Sequence, residues 1–271
     1  MPELPEVETV KRDLSPKVTG LKIMGLDLTF AGAVRGASPD SFRELLVGRK
    51  IVELGRRAKY LLFRLDDGKT LVIHLKMTGA LLWREDNCPG NGPHVRTVIR
   101  LEGGCVDFRD PRKFGSLRIV ENEAKFLSGL GPEPLEKDFT AAVLWQRLKS
   151  HATPIKAAIL DQGVLAGMGN MYADEALFAA RIHPLKKANE LTPGETGRLH
   201  RAIKLVLRQG IEMGGASVSN YVRPDGEKGH SHEQFKVAHK RGGPCSRCGG
   251  LLSYVKVRGR GTTFCPTCQR P

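Results

Sequence analysis

The chain has 271 residues, 40% of them hydrophobic and 27% charged, with 43 Lys and Arg against 29 Asp and Glu for a net charge of +14. That length suggests about two domains, and this apolar content suffices for a core, which excludes a disordered or collagen-like chain. Every apolar run falls short of the roughly 18 to 20 residues a membrane helix needs, and charges from Glu3 to Lys17 interrupt the N-terminal segment too often for a secretory signal, so the expected location is the cytoplasm.

The opening Pro2-Glu3-Leu4-Pro5-Glu6-Val7-Glu8-Thr9-Val10 predicts a helix start. Proline suits the first helical turn and the acids suit its positive end. Leu4, Val7, Val10 and Leu14 recur at helical spacing, and Ser15-Pro16 with Gly20 is expected to close the element. From about Leu21 to Val120 the period changes to two. Leu71, Ile73, Leu75 and Met77 alternate with Val72, His74 and Lys76, and the turn Asp66-Asp67-Gly68 joins this strand to Tyr60–Leu65 as a hairpin. Val95, Thr97, Ile99 and Leu101 predict another strand, followed across Gly103-Gly104 by Cys105–Phe108. Such short, closely spaced strands suggest a β-sandwich.

Ser128 to Pro134 has the composition of a linker. Beyond it the pattern is helical over Phe139–Lys149, Pro154–Asp161 behind a Thr153 cap, Asn170–Ile182 and Pro193–Met213. A glycine-rich stretch from Gly214 to Gly229 is expected to be a mobile separator before the cysteine-bearing tail. The expected domains are a β-sandwich over 1–127, a linker over 128–138, a helical domain over 139–233 and a terminal module over 234–271.

The charge is uneven. Residues 234–271 hold eight Lys and Arg and no acid, more than half of the net charge. A concentrated basic segment beside cysteine pairs points to a polyanion such as nucleic acid, although charge alone also fits a solubilising tail. Cys245-x2-Cys248 and Cys265-x2-Cys268 stand at zinc-ribbon spacing, each pair supplying two thiolates to one tetrahedral ion. Four sulfur ligands leave no position for water, so this zinc is structural. Cys88 and Cys105 follow no ligand pattern and are read as ordinary reduced thiols without a role.

No Ser/His/Asp or phosphate-loop signature is present, which turns attention to Pro2. Removal of Met1 makes it an N-terminal secondary amine. An α-amino group with a pKa of about 7.7 to 8.0 keeps roughly a tenth of its population neutral at pH 7, enough to attack an electrophilic carbon. The bland reading is a helix start.

The start motif Pro2–Val10, the segment Gly167-Met168-Gly169-Asn170-Met171-Tyr172-Ala173-Asp174-Glu175, and the terminal four-cysteine ribbon containing Gly259-Arg260-Gly261-Thr262-Thr263-Phe264-Cys265 together resemble bacterial formamidopyrimidine-DNA glycosylases. The resemblance spans the whole chain. It implies an α+β fold, with an N-terminal β-sandwich with flanking helices, a helix-two-turns-helix domain and a zinc-finger β-hairpin. It implies a monomeric, nucleoid-associated repair enzyme that removes oxidised purines from double-stranded DNA and then nicks the strand. The target base must be flipped out of the duplex, which costs a few kcal/mol.

By the same resemblance Pro2 is the nucleophile, Glu3 the acid beside it, Lys59 the lysine of base expulsion and β-elimination, and Arg260 the finger arginine of δ-elimination. Met77, Arg112 and Phe114 match the wedge that fills the vacated stack, while His74, His94, His151 and Asn170 match DNA contacts. Each has a plainer reading. Met77 shares a face with Leu75 and suits a core, Glu3 suits a helix terminus, a lone strand lysine is usually solvated, and Asn170 is an ordinary helix start. The chain departs from the family at Val237-Ala238-His239-Lys240 and at His151, where a lysine is common. Two other readings remain: an endonuclease VIII-like enzyme for oxidised pyrimidines, which Leu4-Pro5 disfavours, and a non-catalytic zinc-ribbon DNA-binding protein.

Overall fold

The computed structural model describes residues 1–85, 88 and 92–270, which form two compact units. The first consists of Met1–Ser128 with Met213–His232, and the second of Gly129–Glu212 with Glu233–Pro271.

The first unit begins with α1 (Leu4–Val18), whose Leu4, Val7, Val10, Leu14 and Val18 are buried. Ser15-Pro16 does not close it. Pro16 lies in the last turn, where a missing N–H removes one bond only, and the helix runs on until the Thr19 N–H donates to the Ser15 carbonyl at 3.0 Å. Next come β1 (Ile23–Leu28), α2 (Pro39–Leu46), β2 (Ile51–Arg57), β3 (Tyr60–Leu65), β4 (Thr70–His74), β5 (Ala80–Glu85), β6 (Val95–Leu101), β7 (Gly104–Arg109), β8 (Ser116–Val120) and the short α3 (Glu123–Leu127). The helix α2 interrupts the stretch expected to be wholly strand-like. Ser38 caps it by accepting from the Ser41 N–H at 3.2 Å, and Phe42 and Leu46, four apart, are its buried face.

Among the described residues the strands form two antiparallel four-stranded sheets, ordered β1-β6-β7-β5 and β2-β3-β4-β8. Leu81, Ile99, Val106 and Phe108 of one sheet share a core with Leu54, Leu61, Phe63, Ile73 and Leu117 of the other and with α1. This is the β-sandwich that alternation predicts, because every second side chain of each strand reaches the common interior.

The segment Met213–His232 belongs to the same unit and is not a mobile separator. Ala216 bridges to His230, the Ser231 N–H donates to the Gly215 carbonyl at 2.9 Å, and Tyr221 is buried in the sandwich core. One aromatic anchor and this pairing order a segment whose glycines alone suggest freedom.

The second unit holds α4 (Ala141–Leu148), α5 (Ile155–Leu160), α6 (Asn170–Ala180), α7 (Pro193–Glu212) and a terminal hairpin of β9 (Ser253–Val257) and β10 (Arg260–Phe264). Thr140 caps α4 through the Val143 N–H at 3.3 Å. The Thr153 cap expected for α5 is absent. The flanking residue is Pro154, without a side-chain cap bond, and the Thr153 carbonyl accepts from the Ala188 N–H at 2.9 Å.

Candidate functional site

In the first unit Pro2 and Glu3 are buried at the head of α1. Glu3 is the residue before the helix, and its N–H donates to Glu6 Oε2 at 2.7 Å, so one of the helix's free donors is satisfied from within the motif. The second oxygen of Glu6 accepts from the Ala216 N–H at 2.8 Å. Glu6 therefore ties the helix head to the ordered Met213–His232 segment.

Lys59 stands in the two-residue turn between β2 and β3, where Ala58 has φ 52°, and not inside a strand as its sequence surroundings suggest. It is only 8% exposed, against the solvated state usual for a lone lysine. The same end of that sheet carries His74, opposite Tyr60 on β3 and Ser116 on β8. The His74 ring meets Tyr60 edge-on at 4.7 Å, and its Nδ1 accepts from the Lys76 N–H at 2.9 Å. Burial, with Lys76 and Lys59 nearby, lowers the His74 pKa to about 3, so the ring is neutral at physiological pH.

Asp110, 1% exposed, organises the proposed wedge. Its carboxylate accepts from the Gly115 N–H at 2.7 Å, from the Arg112 N–H at 3.2 Å and from the Thr78 hydroxyl. The loop after Met77 and the loop of Arg112 and Phe114 are thereby joined. Gly115 is required here, because a Cβ would come within 2.3 Å of the Phe108 ring. Phe114 is 49% exposed with the Arg112 guanidinium 4.6 Å from its ring centre. Met77 is half-buried and outside the core cluster, so it does not fill the core as its shared face with Leu75 suggests. His94 is exposed at φ 65°, with its carbonyl accepting from the Asp110 N–H at 3.0 Å.

In the second unit Arg260 is exposed at the start of β10, directly after Arg258 and Gly259, both at positive φ. Two successive residues of this kind make the tight hairpin turn that needs glycine. The hairpin is fastened from below. Lys156, fully buried, donates to the Gly261 carbonyl at 2.9 Å and Thr262 Oγ1 at 2.8 Å and pairs with Asp174 at 2.6 Å. Burial pushes the Asp174 carboxyl up, against the pull of Lys156. Asn170, first in α6, donates to the same Gly261 carbonyl at 3.0 Å while its own Oδ1 is buried without a partner. Beside it opens a cavity of about 340 Å³ lined by Asn170, Asp174, His239, Arg241, Tyr254 and Gly261 among others. The departing segment at 237–240 is held by Glu175, whose carboxylate accepts from the Lys236, Val237 and Ala238 N–H groups at 2.8 to 2.9 Å. His151 is half-buried, with Nδ1 3.1 Å from Ser150 Oγ.

Cys245, Cys248, Cys265 and Cys268 place their sulfurs within 4.8 Å of one another. Four thiolates at that separation suit a tetrahedral zinc ion with no open position, so the zinc site is structural. Cys88 and Cys105, read from the sequence as unassigned reduced thiols, are instead bonded to each other. Antiparallel pairing of β5 with β7 brings together cysteines that sequence spacing does not relate.

Charges buried between elements escaped the sequence reading: Glu8, Asp110, Lys156 and Glu175. Their signal was weak, a lone charge among apolar neighbours such as Ile155-Lys156-Ala157. A β-sandwich headed by a proline-initiated helix, followed by a helical unit with a four-thiolate ribbon and a basic hairpin, defines the helix-two-turns-helix, zinc-finger class. The comparisons then specify the family. Residues 1–117 match the formamidopyrimidine-DNA glycosylase N-terminal domain, 130–222 its H2TH domain and 242–271 the zinc finger found in FPG and IleRS. The formamidopyrimidine-DNA glycosylase of Pelotomaculum thermopropionicum is 43% identical over 278 residues, covering 100% of this chain and 99% of the relative. The Lactococcus lactis FPG, solved with a Fapy-dG containing DNA, superimposes with a TM-score of 0.93 at 35% identity over 100% of both chains. The MutM (FPG) protein from Thermus thermophilus gives 0.89 at 42% identity, covering 99% of this chain and 98% of the other. The chain belongs to the formamidopyrimidine-DNA glycosylase family.

Proposed function

We propose that this protein excises oxidised purines, 8-oxoguanine and formamidopyrimidines, from duplex DNA and then cleaves the strand at the resulting abasic site. The observation that carries the reading is the buried Pro2-Glu3 pair at the head of α1, an incipient secondary amine beside a carboxyl. Removal of Met1 frees the Pro2 nitrogen. That nitrogen attacks the sugar C1′, the bond from C1′ to the base breaks, and Glu3 protonates the ring oxygen as the sugar opens. The product is a cationic iminium, which a secondary amine forms without losing a second proton. It acidifies the C2′ hydrogen, so loss of that proton expels the 3′ phosphate and a second elimination expels the 5′ phosphate.

Lys59 serves base expulsion and the first elimination, and Arg260 serves the second. Met77, Arg112 and Phe114 fill the stack once the base has left it. His74, His94, His151 and Asn170 hold the DNA, Asn170 from the head of a helix where free N–H groups favour phosphate. The protein acts as a monomer in the cytoplasm, on the nucleoid.

Borohydride trapping on an 8-oxoguanine duplex tests the reading. Protein with Pro2 at its terminus should give a covalent complex, and protein retaining Met1 should give none. Equal trapping by both forms overturns the assignment of Pro2.

A further inference from the structure

Cys105 lies on β7, and Cys88 lies three residues beyond Glu85, the end of β5, which pairs with Gly104. Along β7 the side chains of Val106 and Phe108 enter the sandwich core. Cys105 therefore points to the other face of its sheet, where it packs with Val95, Val98 and Cys88. Cys105 and Val98 are both 0% exposed although they face away from that core. Between β5 and β6 the sequence Asp86-Asn87-Cys88-Pro89-Gly90-Asn91-Gly92-Pro93 has no other apolar side chain apart from its prolines.

Three further features place the pair and hold it. The Cα atoms are 6.0 Å apart, inside the span a disulfide bridges. Arg100 Nη1 donates to the Cys88 carbonyl at 3.1 Å while its Nη2 is held by Asp27 at 2.5 Å. The bonded pair closes a ring of chain that contains His94 and all of β6, and β7 leads directly into Asp110, whose N–H meets the His94 carbonyl.

We propose that Cys88 and Cys105 are a reversible oxidation site, on which a low-molecular-weight disulfide acts to lock Cys88 onto β7, upstream of His94. Cys88, the more accessible thiol, attacks one sulfur of the reagent as its thiolate and releases one small thiol. Cys105 then attacks the Cys88 sulfur of the mixed disulfide and releases the second. Two cysteine thiols and one reagent disulfide become one intrachain disulfide and two small thiols, which take up the two protons.

Closing the ring removes freedom from the unfolded chain, so the oxidised form unfolds at a higher temperature. It also fixes Cys88, six positions before His94, to β7 before DNA arrives, which strengthens duplex binding by about two- to fivefold. The second effect rests on His94 as a DNA contact.

The test uses the full-length, zinc-loaded protein, treated with oxidised glutathione or with a reductant, alkylated and digested with trypsin. The expected product of oxidation is peptide 85–96 joined to peptide 101–109, separated by reductant. Recovery of both cysteines alkylated after oxidation overturns the site. Thermal midpoint and affinity for a lesion duplex are then compared between the two forms and Cys88→Ser. The oxidised form should melt several degrees higher and bind more tightly, and Cys88→Ser should match the reduced form under both treatments. A linked peptide with an unchanged midpoint overturns the lock. A raised midpoint with unchanged affinity overturns the coupling to His94 and the DNA-contact reading of that residue, while the oxidation site stands.

Discussion

Arg56 and Glu8 join the two elements that carry the reactive candidates of the first unit, with Arg56 Nε donating to Glu8 Oε2 at 2.8 Å. Arg56 Nη1 also donates to the Ala58 carbonyl at 3.0 Å, immediately before Lys59. The Lys59 turn is thereby fixed to the helix that begins at Pro2 and Glu3. Burial pushes the Glu8 carboxyl up, but its bonds to Arg56 and Arg12 outweigh this and hold its pKa below the ordinary glutamate value. The pair's stabilisation is therefore present above pH 4.5 and lost as pH falls through the lower folded value. Arg56→Met leaves the Glu8 charge buried without its main partner and should cost about 3 kcal/mol in denaturant unfolding. Cleavage of a preformed abasic site should fall further than duplex affinity, because the turn loses its register. Unchanged unfolding would remove the pair from this role.

His74 sets a second acid limit. Its folded pKa of about 3 lies below the ordinary value of 6.5, so the unfolded chain takes up a proton that the folded ring refuses. The contribution to stability is complete above pH 6.5 and declines as pH falls towards 3. Between pH 6.5 and pH 5 the loss is at most about 2 kcal/mol. His74→Gln should flatten the stability profile over that interval, and a profile identical to wild type would show that another group titrates there.

Phe114 and Arg260 should fail in different ways. Phe114→Ala removes an exposed ring and the surface on which the Arg112 guanidinium stacks, so flipping of a fluorescent base analogue should fall while weak binding to undamaged duplex persists. Arg260→Ala should weaken binding across sequences and lower the magnitude of the salt slope by about one. Phe114→Ala flipping as well as wild type would return the ring to a structural role.

The ribbon and the hairpin beside it depend on metal. Metal analysis should find about one zinc per chain, and Cys248→Ala should release it. Duplex affinity should drop with the metal, since Arg260 sits on the hairpin that leads into Cys265. Full affinity without zinc would separate the two.

Lys156 is the interior support of that hairpin. Lys156→Met keeps the volume but strands Asp174, and should destabilise the second unit by about 3 kcal/mol in urea unfolding. Adding Asp174→Leu should recover part of the loss by removing the orphaned charge. No recovery in the double variant would mean that the bonds to Gly261 and Thr262 carry the cost.

Local regularities in the chain were enough to determine the coarse order of a strand region, a helical region and cysteine pairs, though not the helix α2 within the strands, together with the zinc ligands and the family motifs at Pro2-Glu3 and Asn170. Alternation, helical spacing and ligand spacing are set by neighbours a few residues apart, so they can be read in one dimension. Tertiary structure alone decided which charges are buried and against what. Glu8 meets Arg56 across 48 positions and Lys156 meets Thr262 across 106, separations at which a sequence holds no distance information. It likewise decided that Tyr221 orders a glycine-rich segment by entering a distant core, and that Cys88 reaches Cys105 through the pairing of β5 with β7. Burial and desolvation depend on what the rest of the chain brings to a residue, and the sandwich and the helical unit supply that only once folded.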